Sequence, residues 1–149
     1  MQLPKHLQIF TNPSLILIGN FGKTNFYIAH EININQIDII EATKTTQQYS
    51  ENSTIANNDR RTLNDITNNE EEDRRQYVKI LAQKITNIAN DHSVNNIQII
   101  MPQELIHRIK NELSDDIKIL IIRELDKDLV KTDLNEALTR LAEKPVPIK

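Results

Sequence analysis

The stretch KILIIRELDKDLVKTDLNEALTRL, residues 118–141, carries a strand pattern, a charged cluster and a helix pattern in succession. Branched side chains dominate residues 117–122, which is typical of a strand that helices cover on both faces. Charged residues follow at the carboxyl end of this predicted strand, where open α/β sheets usually place their functional groups. Thr132 then suits the N-cap of a helix whose apolar face carries three leucines, Leu134, Leu138 and Leu141. The stretch therefore predicts an α/β fold and marks one candidate surface.

Apolar runs earlier in the chain predict the rest of the sheet. Three strands come first, over residues 15–18, 26–29 and 32–40, and a slip in the alternation near Gln36 indicates a bulge in the third. A fourth strand over residues 97–101 precedes a helix that begins at Pro102, and a right-handed crossover places it parallel to the strand of residues 117–122. These elements predict an α/β domain with a mixed sheet of about five strands and three helices.

The two glycines of the chain, Gly19 and Gly22, lie between the first two predicted strands. They indicate a tight turn that contains Asn20 and joins these strands as an antiparallel pair. Glycines before a basic residue, here Lys23, can also bind phosphate, but the full phosphate-loop pattern is missing and no helix start follows. The turn is therefore the favoured interpretation.

Length and composition indicate a single domain. The chain has 149 residues, of which 38% are hydrophobic and 26% charged. A net charge of −3 gives no overall attraction to nucleic acid, so such a contact requires a local basic patch. The absence of cysteine excludes disulfides, thiolate zinc sites and cysteine nucleophiles. No apolar run is long enough to span a membrane and no leader pattern opens the chain, so we expect a cytoplasmic protein.

Residues 43–69 differ in composition from their surroundings. Asparagine, glutamine, serine and threonine dominate there, and such a length without structure is unusual inside a compact domain. We therefore predict a long polar, disordered loop, followed by a helix that begins near Glu70 with acidic residues in its first turn. The apolar stripe of that helix includes Tyr77, Leu81 and Ile85 and is typical of a core-facing side.

Acidic residues after the last predicted strand leave two interpretations open. Glu124, Asp126 and Asp128 could hold a magnesium or manganese ion or carry out acid/base chemistry. Together with Lys127 they could instead form a solvent-exposed turn of ion pairs, which is the more common arrangement. We predict no resident metal or cofactor and assign no catalytic residue.

Basic residues recur through the same region at a spacing of four. On a helix, Arg123, Lys127 and Lys131 would form a stripe that can contact phosphates. No aromatic side chain alternates with them for base stacking, so recognition of a specific single strand is not expected. A solvated helix face is the alternative interpretation.

Several motifs together resemble one family. ELDKDL at residues 124–129, MPQELIHRIKNEL at 101–113 and LILIGNFGKTNFY at 15–27 resemble the family described as protein required for attachment to host cells. This family is grouped with relatives of the middle domain of class I release factors, so the resemblance implies a release-factor middle-domain-like fold. Family members often have an aspartate where Asn20 stands.

The release-factor loop ends in a glycine-glycine-glutamine tip that hydrolyses peptidyl-tRNA. The corresponding residues here, 43–69, include Gln47 and Gln48 but no glycine. The resemblance therefore implies a binding protein that lacks an intact hydrolase motif.

Three functional hypotheses follow. The first is a ribosome-associated or tRNA-associated protein of translation. It binds through the long loop of residues 43–69 and through a surface made of Arg123, Glu124, Asp126, Lys127, Asp128, Lys131, Asn20 and Lys23. The second is a metal-dependent nuclease or phosphohydrolase that uses the three acids of residues 124–128. The third is an indirect role in attachment to host cells, as the family description implies.

Overall fold

The computed structural model describes residues 2–7, 10–42 and 63–143. Their elements, in chain order, are a short 3₁₀ helix Lys5–Leu7, β1 Phe10–Gly19, β2 Lys23–Glu31, β3 Asn33–Glu41, α1 Leu63–Asp91, β4 Asn96–Met101, α2 Gln103–Glu112, the one-turn α3 Asp115–Lys118, β5 Ile121–Asp126 and α4 Leu134–Glu143. The five strands form one sheet in the order β3-β2-β1-β4-β5. β2 is antiparallel to β1 and β3, whereas β1, β4 and β5 are parallel. The predicted α/β class and mixed sheet are confirmed.

Helices cover the sheet on two faces. Successive side chains of a strand point to opposite faces, so β1 supplies Leu15 and Leu17 to the core beneath α1 and α2, and Ile16 and Ile18 to the core beneath α4. All four are fully or almost fully buried. Burying one such side chain contributes roughly 1.5 to 3 kcal/mol, which explains why β1 is apolar at consecutive positions rather than at alternate ones.

The first two strands form the predicted hairpin, but its glycines serve a different purpose from the one expected. No glycine among the described residues has a positive φ. Gly19 lies opposite Thr24 in the ladder, and a Cβ at Gly19 would collide with the Thr24 side chain. Glycine is therefore required here for close approach. The predicted bulge is confirmed, because Phe26 pairs with Asp38 and Tyr27 with Gln36, which leaves one extra residue between them.

The last strand lies four residues later than predicted. Residues 115–118 form a helical turn, in which the amide N–H groups of Ile117 and Lys118 both donate to the Ser114 carbonyl, and Ile119 is 66% exposed. β5 is an edge strand with half-buried side chains, so it tolerates Arg123 and Glu124 within the strand. The expectation of full coverage on both faces was wrong.

Two helix boundaries also differ from the prediction. The helix predicted from Glu70 begins at Leu63, so residues 63–69 of the predicted loop are helical, and residues 43–62 lie outside the described residues. No glycine or proline separates the two regions, and the weak helix propensity of asparagine and threonine alone does not end a helix. Asp133 rather than Thr132 caps α4, since its Oδ2 accepts from the Asn135 amide at 3.1 Å.

No helix in the described part of the chain is long and apolar enough to cross a membrane.

Candidate functional site

The carboxyl ends of the three parallel strands meet at one edge of the sheet. We call this edge the carboxyl corner and define it by three segments: residues 20–23, from the end of β1 to the start of β2; Gln103, after β4; and residues 126–131, from the last residue of β5 onward. The Lys127 amide donates to the carbonyl of Met101, the last residue of β4, at 3.2 Å, which ties the segment after β5 to the end of β4. Six of the eight predicted surface residues belong to the corner. The other two, Arg123 and Glu124, lie farther back on β5.

Asn20 connects two segments of the corner that are 108 residues apart in sequence. Its Nδ2 donates to both carboxylate oxygens of Asp128, at 3.1 and 3.2 Å. Its Oδ1 accepts from the amides of Gly22 at 2.7 Å and Lys23 at 2.9 Å, which closes the turn after β1. The donor and the acceptor of the Asn20 side-chain amide are thus both hydrogen-bonded. A carboxylate at this position would keep the turn and lose the link to Asp128.

Tyr77 anchors the same turn from α1. Its hydroxyl donates to the Asn20 carbonyl at 2.8 Å and shares a hydrogen bond of 2.7 Å with the Thr24 hydroxyl. Burial raises the pKa of Tyr77 to about 12, although the hydrogen bond with Thr24 acts in the opposite direction. The sequence placed Tyr77 only in an apolar stripe, because the spacing of a helix does not reveal a hydrogen bond to a residue so distant in the chain.

Phe21, at the tip of the turn, has two arginines near its ring. The guanidinium of Arg74 is 5.0 Å from the ring centroid, and that of Arg108 is 5.9 Å away, both within the range of cation–π attraction. Arg108 also donates to Glu71 at 2.8 Å and to Glu104 at 3.4 Å. The Glu71 carboxylate raises the pKa of Arg108, and Arg108 in turn lowers the pKa of Glu71. Sequence analysis missed these contacts, which join α1, α2 and the turn.

Asp126 caps a helix rather than forming an open acidic site. Its Oδ1 accepts from the Gln103 amide at 2.9 Å, at the first residue of α2. The preceding Pro102 occupies the N-cap and makes no side-chain capping bond, so an oxygen from the neighbouring strand takes that place. The negative charge is also favourable beside the positive end of the helix dipole. The exposed position of Asp126 thus has a structural explanation.

The three acids predicted as a possible metal site have separate partners. Glu124 accepts from Lys110 Nζ at 2.8 Å, Asp126 from the amide of Gln103, and Asp128 from Asn20. Within residues 2–7, 10–42 and 63–143, no group of three or more histidine, aspartate or glutamate side chains is arranged to hold a metal ion. Only Glu124 forms an ion pair, and its partner is Lys110 rather than Lys127, so among the described residues the geometry shows neither the predicted turn of ion pairs nor convergent carboxylates.

Basic residues at the corner do not form the predicted helical stripe. Arg123 lies on β5, whereas Lys127 and Lys131 lie in the non-helical connection to α4. Because none of the three is in a helix, their spacing of four residues does not place them on one helix face. The side chains of Lys127 and Lys131 are exposed, and that of Lys23 is partly exposed. None of the three ammonium groups has a hydrogen bond or ion pair to the described residues. The two aspartates of the corner are thus hydrogen-bonded to the protein, while its lysine side chains face solvent.

Comparison with known proteins shows the family to which the chain belongs. Residues 16–141 match the family described as protein required for attachment to host cells. A search of curated proteins found no match.

Two solved structures show a distant likeness. An archaeal translation termination factor, aRF1, is similar with a TM-score of 0.49 and 9% identity over 87% of this chain and 37% of that protein. The type II variant of the Ppx/GppA phosphatase from Aquifex aeolicus has a TM-score of 0.42 and 10% identity over 76% of this chain and 35% of that protein. This chain thus spans little more than a third of the length of either protein.

Proposed function

The chain belongs to the family of proteins required for attachment to host cells, and we propose that it acts as a binding protein of the translation machinery. The proposed contact surface is the carboxyl corner, and the proposed partner is ribosomal or transfer RNA. The translation machinery is the partner implied by the release-factor resemblance of the sequence motifs. The proposal rests on one observation at the corner: its aspartates accept hydrogen bonds from the protein, whereas its lysines extend into solvent.

The corner contains three lysines and two aspartates, a formal charge of +1, although the chain as a whole carries a net charge of −3. Asp126 and Asp128 accept hydrogen bonds from neutral amides of the protein, which hold both carboxylates in place without pairing them with a lysine of the described residues. Lys127 and Lys131 extend into solvent without a described partner. Unpaired ammonium groups on a fixed loop can neutralise phosphates, which is the main source of affinity for nucleic acids. The surface suits backbone contacts, not base recognition.

Enzymatic alternatives have less support from this geometry. A metal-dependent nuclease or phosphohydrolase needs convergent carboxylates, and Glu124, Asp126 and Asp128 have three different partners. Calorimetry with magnesium and manganese tests this alternative directly, and micromolar binding of either ion to the intact chain would revive it.

Sedimentation with purified ribosomes tests the main proposal. We expect the wild-type chain to pellet with ribosomes or their subunits at low salt, and to be released as salt rises. The double variant Lys127→Gln/Lys131→Gln should bind more weakly. Its plot of log affinity against log salt should become shallower by about 0.7 to 0.9 for each phosphate that the variant no longer neutralises.

A charge-matched control separates a specific surface from a general charge effect. The double variant Lys5→Gln/Lys79→Gln removes the same charge from exposed positions outside the corner. It should bind as the wild type does. Equal weakening of both double variants, or no association of the wild type with any ribosomal state, would contradict the proposal.

An indirect role in attachment to host cells is the second candidate function, and the family description favours it. In this case deletion of the gene should reduce attachment of cells, while a membrane-impermeant biotin reagent should leave the protein in intact cells unlabelled. Labelling at the surface would indicate a direct role instead.

A further inference from the structure

A polar patch interrupts the apolar face of the sheet beneath α4. Ile16, Ile18 and Ile100 form the carboxyl half of this face and pack in the core with α4. Two residues earlier along the same strands, the alternation places Ser14 on β1 and Gln98 on β4, with exposed fractions of 1% and 2%. Arg123 pairs with Gln98 in the ladder and extends the patch onto β5. Burial of polar groups is costly without hydrogen bonds, so this patch requires a physical reason.

The amides of the patch hold the guanidinium of Arg123 in place. Arg123 Nη1 donates to Gln98 Oε1 at 3.1 Å. Gln98 Nε2 in turn donates to Asn96 Oδ1 at 3.3 Å, which directs the Gln98 carbonyl oxygen towards the arginine. Gln98 is therefore held in position through both ends of its amide.

Within the described part of the chain, Arg123 has no acidic partner. Its Nε is buried without a hydrogen-bond partner, and the described residues provide no carboxylate for its charge. Arg108 and Arg140, by contrast, donate to Glu71 and Glu136. Burial also lowers the pKa of Arg123. A half-buried cation that faces only neutral groups is destabilising, and a bound anion would offset that cost.

We propose that Arg123 is a binding site for a small oxyanion, the carboxylate or phosphate group of a low-molecular-weight ligand. Nη1 is committed to Gln98 and Nε is closed to solvent, so Nη2 is the group that donates to an oxyanion from outside. Arg123 is partly exposed, so a small anion can reach its side chain, whereas its neighbour Gln98 is buried. This site lies away from the carboxyl corner and is independent of the proposed function.

Thermal unfolding of the intact chain in inorganic phosphate, acetate and chloride at equal ionic strength tests the site. We expect phosphate, acetate or both to raise the Tm of the wild type above its value in chloride. A response to phosphate alone identifies a phosphate-bearing ligand, and a response to acetate alone identifies a carboxylate. The variant Arg123→Gln should lose the response, with affinity for the anion reduced about tenfold or more.

Two further variants refine the test. Arg123→Lys keeps the charge but not the planar fork, so its affinity should lie between those of the wild type and Arg123→Gln. Arg140→Gln removes an exposed arginine that already has an acidic partner, and it should respond to anions as the wild type does. An Arg123→Gln variant that still responds as the wild type does would overturn the proposal.

A measurement on the wild type keeps the test independent of how the variants fold. The Nε–H resonance of Arg123 in a proton–nitrogen NMR spectrum should shift as phosphate or acetate is added, and the Arg140 resonance should not. An Arg123 resonance that stays unchanged while the Tm shows no specific anion effect would overturn the proposal.

Discussion

The interior of the sheet around β4 and the carboxyl corner beyond β5 are stabilised in different ways. All residues of β4 after the first are buried, most of them apolar, whereas β5 is half-buried and ends in charged residues. β4 has a strand on each side, while β5 has a neighbour on one side only. Apolar packing therefore dominates around β4, and hydrogen bonds between distant segments dominate at the corner. Two similar apolar runs thus differ in burial because of their neighbours, not their composition.

The largest expected effect lies in the interior. Ile99 is fully buried at the centre of the sheet, so Ile99→Ala should lower the free energy of unfolding by about 2 to 5 kcal/mol. Ile122→Ala on half-buried β5 should cost about 1 kcal/mol, since less of that side chain leaves water on folding. Urea unfolding followed by circular dichroism measures both. Equal losses would show that β5 is as buried in solution as β4.

Tyr77 joins the interior to the corner and should show the next largest effect. Tyr77→Phe removes the hydroxyl that bonds to Asn20 and Thr24, at an expected cost of about 1 to 3 kcal/mol near pH 7. Urea unfolding of this variant beside the wild type measures that cost.

The pH dependence of this difference provides a second measurement. Burial raises the folded-state pKa of Tyr77 to about 12, from 10.0 for an ordinary tyrosine. The stability from its neutral hydroxyl is fully present below pH 10 and is lost as pH rises through 12. The advantage of the wild type over Tyr77→Phe should therefore shrink between pH 10 and 12. An advantage that stays constant over this range would contradict the burial of the hydroxyl.

Within the corner, the cap on α2 should contribute less. Asp126→Ala should cost about 1 kcal/mol, because it leaves the Gln103 amide without its acceptor. Asp126→Asn keeps an acceptor oxygen and should recover much of that loss. Lys127→Ala changes the adjacent exposed residue and should alter stability by less than about 0.5 kcal/mol. An effect of Lys127→Ala as large as that of Asp126→Ala would argue against a specific cap.

The sequence was sufficient where the signal is local. Apolar runs in residues 15–18 and 97–101 predicted strands, and a slip in the alternation near Gln36 predicted the bulge. It was insufficient where the position of an element within the sheet decides the outcome. The apolar residues 117–120 suit a strand and a helical turn equally well, so only the structure shows that β5 starts at Ile121 and lies at an edge.

For the candidate site as well, local features were predicted and contacts between distant residues were not. Asp128 was predicted to lie on the surface because it follows the last strand, and Asn20 because family members often have an aspartate at its position. Their hydrogen bond was not predicted, since its partners are 108 residues apart. Arg108 escaped notice because its role depends on contacts with Phe21 and Glu71, which the spacing along α2 does not reveal.

The link between Asn20 and Asp128 should be the weakest of these contacts, since both groups are exposed. Asn20→Asp keeps the oxygen that accepts from Gly22 and Lys23 but places a second carboxylate against Asp128. We expect a loss of about 1 kcal/mol or less, reduced further by salt. Adding Asp128→Asn should restore most of it, because the new amide can donate to the carboxylate at position 20. Urea unfolding of the two single variants and the double variant gives the coupling energy, and a value of zero would mean that the two segments are not joined by this bond in solution.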